Sequence, residues 1–128
     1  MTFAELLEAL ERVSAEETRK RTECFLERVI SRGGLAKVFP LLEDYFGRPF
    51  KPEGQRPTAV SDRYAGPYGG IRSDQTLYFK KEERGFSIAM LWPWGNGTSI
   101  TMRVIGELSE PEAPAPSRRP FWAKLFGK

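Results

Sequence analysis

An α+β fold follows from three features of this 128-residue chain: apolar residues at helical spacing in its first half, aromatic and β-branched runs of period two after residue 75, and glycine turns between those runs. Together they predict two or three N-terminal helices packed on one face of a three- to four-stranded antiparallel sheet, in a domain spanning residues 1–108. A Pro/Ala spacer over 109–117 and a short amphipathic peptide over 118–128 follow it.

Thr2-Phe-Ala-Glu5 fits a capping box, and Phe3, Leu6, Leu7, Leu10 and Val13 continue at helical spacing, so a first amphipathic helix is expected. Ser14-Ala-Glu-Glu17 fits a second box. It predicts a second helix that places Thr22, Phe25, Leu26, Val29 and Ile30 on one face and stops at Gly33-Gly34. Leu35, Val38, Phe39, Leu42 and Phe46 predict a third, closed by Gly47, with Pro40 tolerated in a first turn or at a kink.

Residues 48–74 carry four prolines and four glycines without a period, and read as a long loop with a short strand near Thr58-Ala-Val60. Strands then follow over Thr76–Lys80, Phe86–Trp92 and Ser99–Ile105. Lys81–Gly85 and Gly95-Asn96-Gly97 supply the turns. Leu77, Phe79, Phe86, Ile88, Met90, Trp92, Ile100, Met102 and Val104 are expected to share the face that the helices cover. Tyr78, Ser87, Ala89, Thr101 and Arg103 then face water, and Trp94 is the more exposed of the two neighbouring tryptophans.

Composition limits the chemistry. With no His and one Cys, neither a His/Cys zinc site nor a His-based triad can form, and Cys24 has no partner for an intramolecular disulfide. Cys24 reads as a small buried hydrophobe, and the reducing cytoplasm is the expected compartment. Glu5, Glu8 and Glu11 stand where a secretory signal carries cations, and no apolar run is long enough to cross a membrane. Asn96-Gly97-Thr98 reads as turn chemistry rather than a glycosylation site. No cofactor and no metal are called for.

The net charge is +3, but its distribution is uneven. Residues 1–17 carry five Glu and Arg12, a local charge of −4, whereas residues 117–128 carry Arg118, Arg119, Lys124 and Lys128 and no acid, a charge of +4. Phe121, Trp122, Leu125 and Phe126 fall among those cations at amphipathic spacing. Two turns of helix are unstable alone in water, so this peptide is expected to order only against a surface. The surface is an anionic membrane or a partner protein groove, and the leading expectation is a non-enzymatic adaptor with Arg118, Arg119, Phe121, Trp122, Lys124, Leu125 and Phe126 as docking residues.

Two alternatives remain. Arg63, Tyr64, Tyr68 and Arg72 interleave basic and aromatic groups around the glycines of the 61–74 loop, a pattern suited to stacking on single-stranded nucleic acid, with Lys80, Lys81, Arg84 and Arg103 extending the basic surface. Asp62 and Asp74 flank the same loop and would serve a small carboxylate-dependent hydrolase if they converged. The adjacent acids Glu82 and Glu83 are expected to sit in water.

Overall fold

A computed structural model describes residues 1–110; the expected spacer beyond Glu110 and all seven docking residues of the 118–128 peptide lie outside the described residues. The fold is α+β, with five strands rather than three or four. Their order in the sheet is β1-β2-β5-β4-β3, antiparallel throughout.

Helix α1, Phe3–Glu11, starts at the expected capping box: Thr2 Oγ1 accepts from the Glu5 amide, and Glu5 Oε1 accepts from the Thr2 amide. That bond holds the Glu5 carboxyl below its ordinary pKa. Leu6, Leu7 and Leu10 are fully buried, worth about 1.5–3 kcal/mol each.

The expected second helix does not form. Residues Glu17–Arg21 are strand β1 and Phe25–Ser31 strand β2, joined by a tight turn in which the Thr22 amide donates to the Phe25 carbonyl. Apolar pairs at 25–26 and 29–30 fit one helical face, but they fit equally a strand covered on both sides. Leu26 and Ile30 pack against the helices, while Phe25 and Val29 point to the other face. Seven consecutive pairs with β5 decide in favour of the strand. Cys24, at the turn, is half-buried rather than buried.

Helix α2, Leu35–Phe46, follows a 3-10 turn at Arg32–Gly34 and ends at Gly47, whose φ of 83° lies in the left-handed region. Pro40 lies in its second turn, so the Ala36 carbonyl loses its intrahelical donor. The long segment contains helix α3, Ala59–Ala65, capped by Thr58 through Ser61; the expected strand at Thr58–Val60 is instead a helix start. Strands β3, Thr76–Lys81, β4, Phe86–Pro93, and β5, Ser99–Leu108, lie where the period-two runs predict. Asn96 Oδ1 accepts from the amides of Thr98 and Ser99 and fixes the β4–β5 turn.

Both faces of the sheet are covered. Helices α1 and α2 pack on Leu26, Ile30, Tyr78, Ala89, Leu91, Ile100, Met102 and Val104; α3 and the loop after it pack on Leu77, Ile88, Met90 and Ile105. The expected single apolar face therefore divides. In the β4–β5 register Leu91 opposes Met102 and Met90 opposes Arg103, so Met102 shares a face with Leu91 and not with Met90.

Candidate functional site

The β3–β4 turn and the end of β5 build the most developed site. Phe86 pairs with Leu108 and Ile88 with Ile105, so β5 inserts one extra residue opposite Ser87. Within this bulge Glu107 takes φ 59°, the one non-glycine residue with positive φ among the described residues. Holding it there costs about 1–2 kcal/mol. Gly85 and Gly106 permit the close packing around the bulge: a Cβ on Gly85 would lie 1.8 Å from the Leu108 carbonyl oxygen, and one on Gly106 would lie 2.8 Å from the Phe3 ring.

The bulge borders a cleft of about 330 Å³ lined by Phe3, Tyr45, Glu82, Glu83, Arg84, Ser87 and Glu107. Phe3 and Tyr45 meet edge to face at 5.8 Å and form its aromatic wall. Glu82 Oε2 accepts from the Tyr45 hydroxyl at 2.5 Å and from Ser87 Oγ at 2.7 Å. Burial, followed by the hydrogen bond to Glu82 and its charge, pushes the Tyr45 phenol well above its ordinary pKa, so it stays protonated and donating. Lys80 Nζ lies 4.0 Å from the Tyr45 ring centroid.

This arrangement is suited to holding a cationic group beside an aromatic one. Glu83 and Glu107 are exposed at the rim, and Glu82 is fixed in position by its two hydroxyl donors. Among the described residues no group of three or more Asp, Glu or Cys is placed to hold a metal ion. A second crevice, lined by Arg84, Gly85, Glu107, Leu108, Ser109 and Glu110, adjoins the cleft through Arg84 and Glu107 and follows the departing chain.

The basic and aromatic residues of the 61–74 segment are placed differently from one another. Tyr64 packs tilted against Phe79 at 4.6 Å and edge to face on Phe86 at 4.9 Å, and its hydroxyl donates to Glu110. Tyr68 meets the edge of Phe86 at 6.5 Å. Both rings thus help to cover the sheet, while Arg63 and Arg72 are exposed, Arg72 beside Asp74 at 3.8 Å. Asp62 is exposed on α3.

Arg103 does not extend a basic surface. Its Nε and Nη2 donate to Glu27 Oε1, its Nη1 donates to the Tyr68 carbonyl at 2.6 Å, and its guanidinium lies 4.6 Å from the Trp92 ring. Lys51 is buried, and its Nζ donates to the carbonyls of Arg72, Ser73 and Gln75, tying the segment to β3. Its backbone also bridges Leu77.

Sequence reasoning missed the cleft because Glu82 and Glu83 sit in a turn, where adjacent acids are ordinarily solvated. The partners of Glu82 come from residue 45, on α2, and from residue 87, one strand further on. The one local signal was the glycine at 85 closing a charged turn. No family model, curated protein or solved structure matches this chain. Among the described residues no helix is long and apolar enough to cross a membrane.

Proposed function

We propose that the chain is a non-enzymatic cytoplasmic adaptor: the folded body takes a basic, aromatic partner segment in the cleft, and residues 118–128 attach the protein peripherally to an anionic membrane surface. The observation that carries the reading is the composition of that segment, four large apolar side chains among four cations, set off from the last strand by a Pro/Ala run. Each cation adds on the order of 1 kcal/mol near an acidic leaflet, and the aromatic side chains insert at headgroup level.

The folded body adds support from chemistry. Tyr64 and Tyr68, the rings that would stack on bases, are engaged with Phe79 and Phe86. Glu82 serves as a hydrogen-bond acceptor for two hydroxyls, which suits a binding wall better than proton transfer.

Sedimentation with vesicles tests the tether. The full chain is expected to pellet with phosphatidylserine/phosphatidylcholine vesicles, to be released by raised salt, and to lose binding in R118E/R119E. Failure to pellet with acidic vesicles both in the parent and in E83K/E107K, whose cleft has lost its acidic rim, overturns the membrane tether and turns the search to a protein groove for the same peptide. Low-salt binding to single-stranded oligonucleotides that is lost in R63E/R72E would instead favour the nucleic-acid reading.

A further inference from the structure

The fold brings the acidic first helix against the end of β5, the strand that precedes the basic segment in sequence. Phe3, at the start of that helix, packs on Gly106 near the end of β5. Ser109 and Glu110 line the second crevice, which shares Arg84 and Glu107 with the aromatic cleft. Glu110 is held there by the Tyr64 hydroxyl at 3.0 Å and Lys81 Nζ at 3.5 Å.

We infer that the cleft is the docking site for the chain's own C-terminal peptide, residues 118–128. The inference rests on the reading that this cleft takes a basic, aromatic ligand, and names that ligand. Charge, shape and reach support it. The first is charge: the cleft presents Glu82, Glu83 and Glu107 against Arg84 and the neighbouring Lys80, and the peptide carries four cations and no acid. The second is shape: an aromatic wall of Phe3 and Tyr45 matches a peptide whose anchors are Trp122 and Phe126.

The third is reach. Extended chain spans about 3.1 Å per residue in a Pro-rich linker, so the stretch from Glu110 to Arg118 covers about 25 Å. The cleft adjoins the crevice in which Glu110 lies, well within that distance. At an effective concentration on the order of 1 mM, the value for a short linker with flexible ends, even a 100 μM site would be about 90% filled. A docked peptide is withheld from an anionic surface, which makes the cleft a built-in competitor of the tether.

The test uses the full chain with Cys24→Ser and a nitroxide on Ser117→Cys, read by amide NMR. The expected result is broadening of the Phe3, Ala4, Glu82, Glu83, Arg84 and Glu107 amides, independent of protein concentration. Relief by at least about twofold is expected in E83K/E107K, in the single variant E83K, and in raised salt, which leaves the covalent structure unchanged. Broadening confined to residues flanking the label, centred on another face, or growing with protein concentration overturns docking in cis.

A synthetic peptide of residues 118–128, titrated onto the full chain carrying W122A/F126A, separates the two levels of the reading. Shifts at the cleft with this peptide, without broadening in cis, overturn self-docking and leave the cleft as a site for a partner segment. Absence of both overturns the cleft reading as well.

Discussion

Lys51→Met should destabilise the folded body by about 2–3 kcal/mol, a value that follows from three carbonyls. Lys51 Nζ contacts the carbonyl oxygens of Arg72 at 2.7 Å, Ser73 at 2.8 Å and Gln75 at 2.5 Å. Charge-assisted bonds of this kind contribute about 1.5–3 kcal/mol each. Two of the carbonyls keep a partner in the variant: Arg72 accepts from the Gln75 amide and Ser73 from the Gly54 amide. The Gln75 carbonyl is left without its ammonium partner, at about 1–3 kcal/mol.

Part of the loss is offset, because burial holds the Lys51 ammonium below its ordinary pKa and removing it relieves that desolvation, against the attraction of Asp74 and Glu53. With an unfolding entropy near 2.1 cal/mol/K per residue, 2–3 kcal/mol lowers the melting temperature by about 10 °C. Calorimetry measures the shift, and hydrogen exchange locates it: amides of Gly54, Gly70 and Gln75 should exchange faster, while those of β2 and β5 should not. A melting temperature within about 2 °C of the parent, with unchanged exchange at Gly54 and Gln75, would refute the idea that this ammonium cements the segment to the sheet.

Three further outcomes are expected. Tyr78 is fully buried with a hydroxyl that has no hydrogen-bond partner among the described residues, so Tyr78→Phe should raise stability by about 1 kcal/mol at neutral pH in urea denaturation. Burial, and then the charge of Glu43, pushes this phenol up to about 12, above its unfolded value near 10; the folded state keeps the proton longer, so stability is full below pH 10 and falls as pH rises from about 10 to 12. The Phe variant should lack that component of the alkaline loss. Gly85→Ala, which meets the Leu108 carbonyl at positive φ, should cost more than about 3 kcal/mol, whereas Gly97→Ala, at φ 78° with nothing within 4 Å, should cost about 1 kcal/mol; equal melting temperatures would contradict the packing assigned to the bulge. Arg103→Lys cannot reproduce the fork between Glu27, the Tyr68 carbonyl and the Trp92 ring and should cost about 1.5–3 kcal/mol, and a double-mutant cycle with Glu27→Gln should show coupling between the two side chains.

Local physics was enough to identify α1, α2 and the last three strands. The Thr2–Glu5 capping box, the glycine after Phe46 and the Asn96-Gly97 turn act within four residues, and period-two runs of aromatic and β-branched residues have few other uses. The same reading left Trp94 more exposed than Trp92. It failed at residues 14–31, where a capping-box pattern and apolar pairs satisfied a helix as well as a doubly covered strand, and pairing with β5, about 70–80 residues away, decided the outcome. It also merged the two faces of the sheet, because period two fixes the alternation within a strand and only the cross-strand register fixes which residues of two strands share a side.

The cleft belongs wholly to tertiary structure. Phe3, Tyr45, Glu82, Ser87 and Glu107 are scattered over more than 100 residues, and nothing local to Glu82 foretells hydroxyls from α2 and β4. A side chain's propensity is set by its neighbours in sequence, whereas its chemistry is set by its neighbours in space. For Glu82 the two differ because α2 brings the Tyr45 hydroxyl to 2.5 Å and β4 the Ser87 hydroxyl to 2.7 Å of its carboxylate.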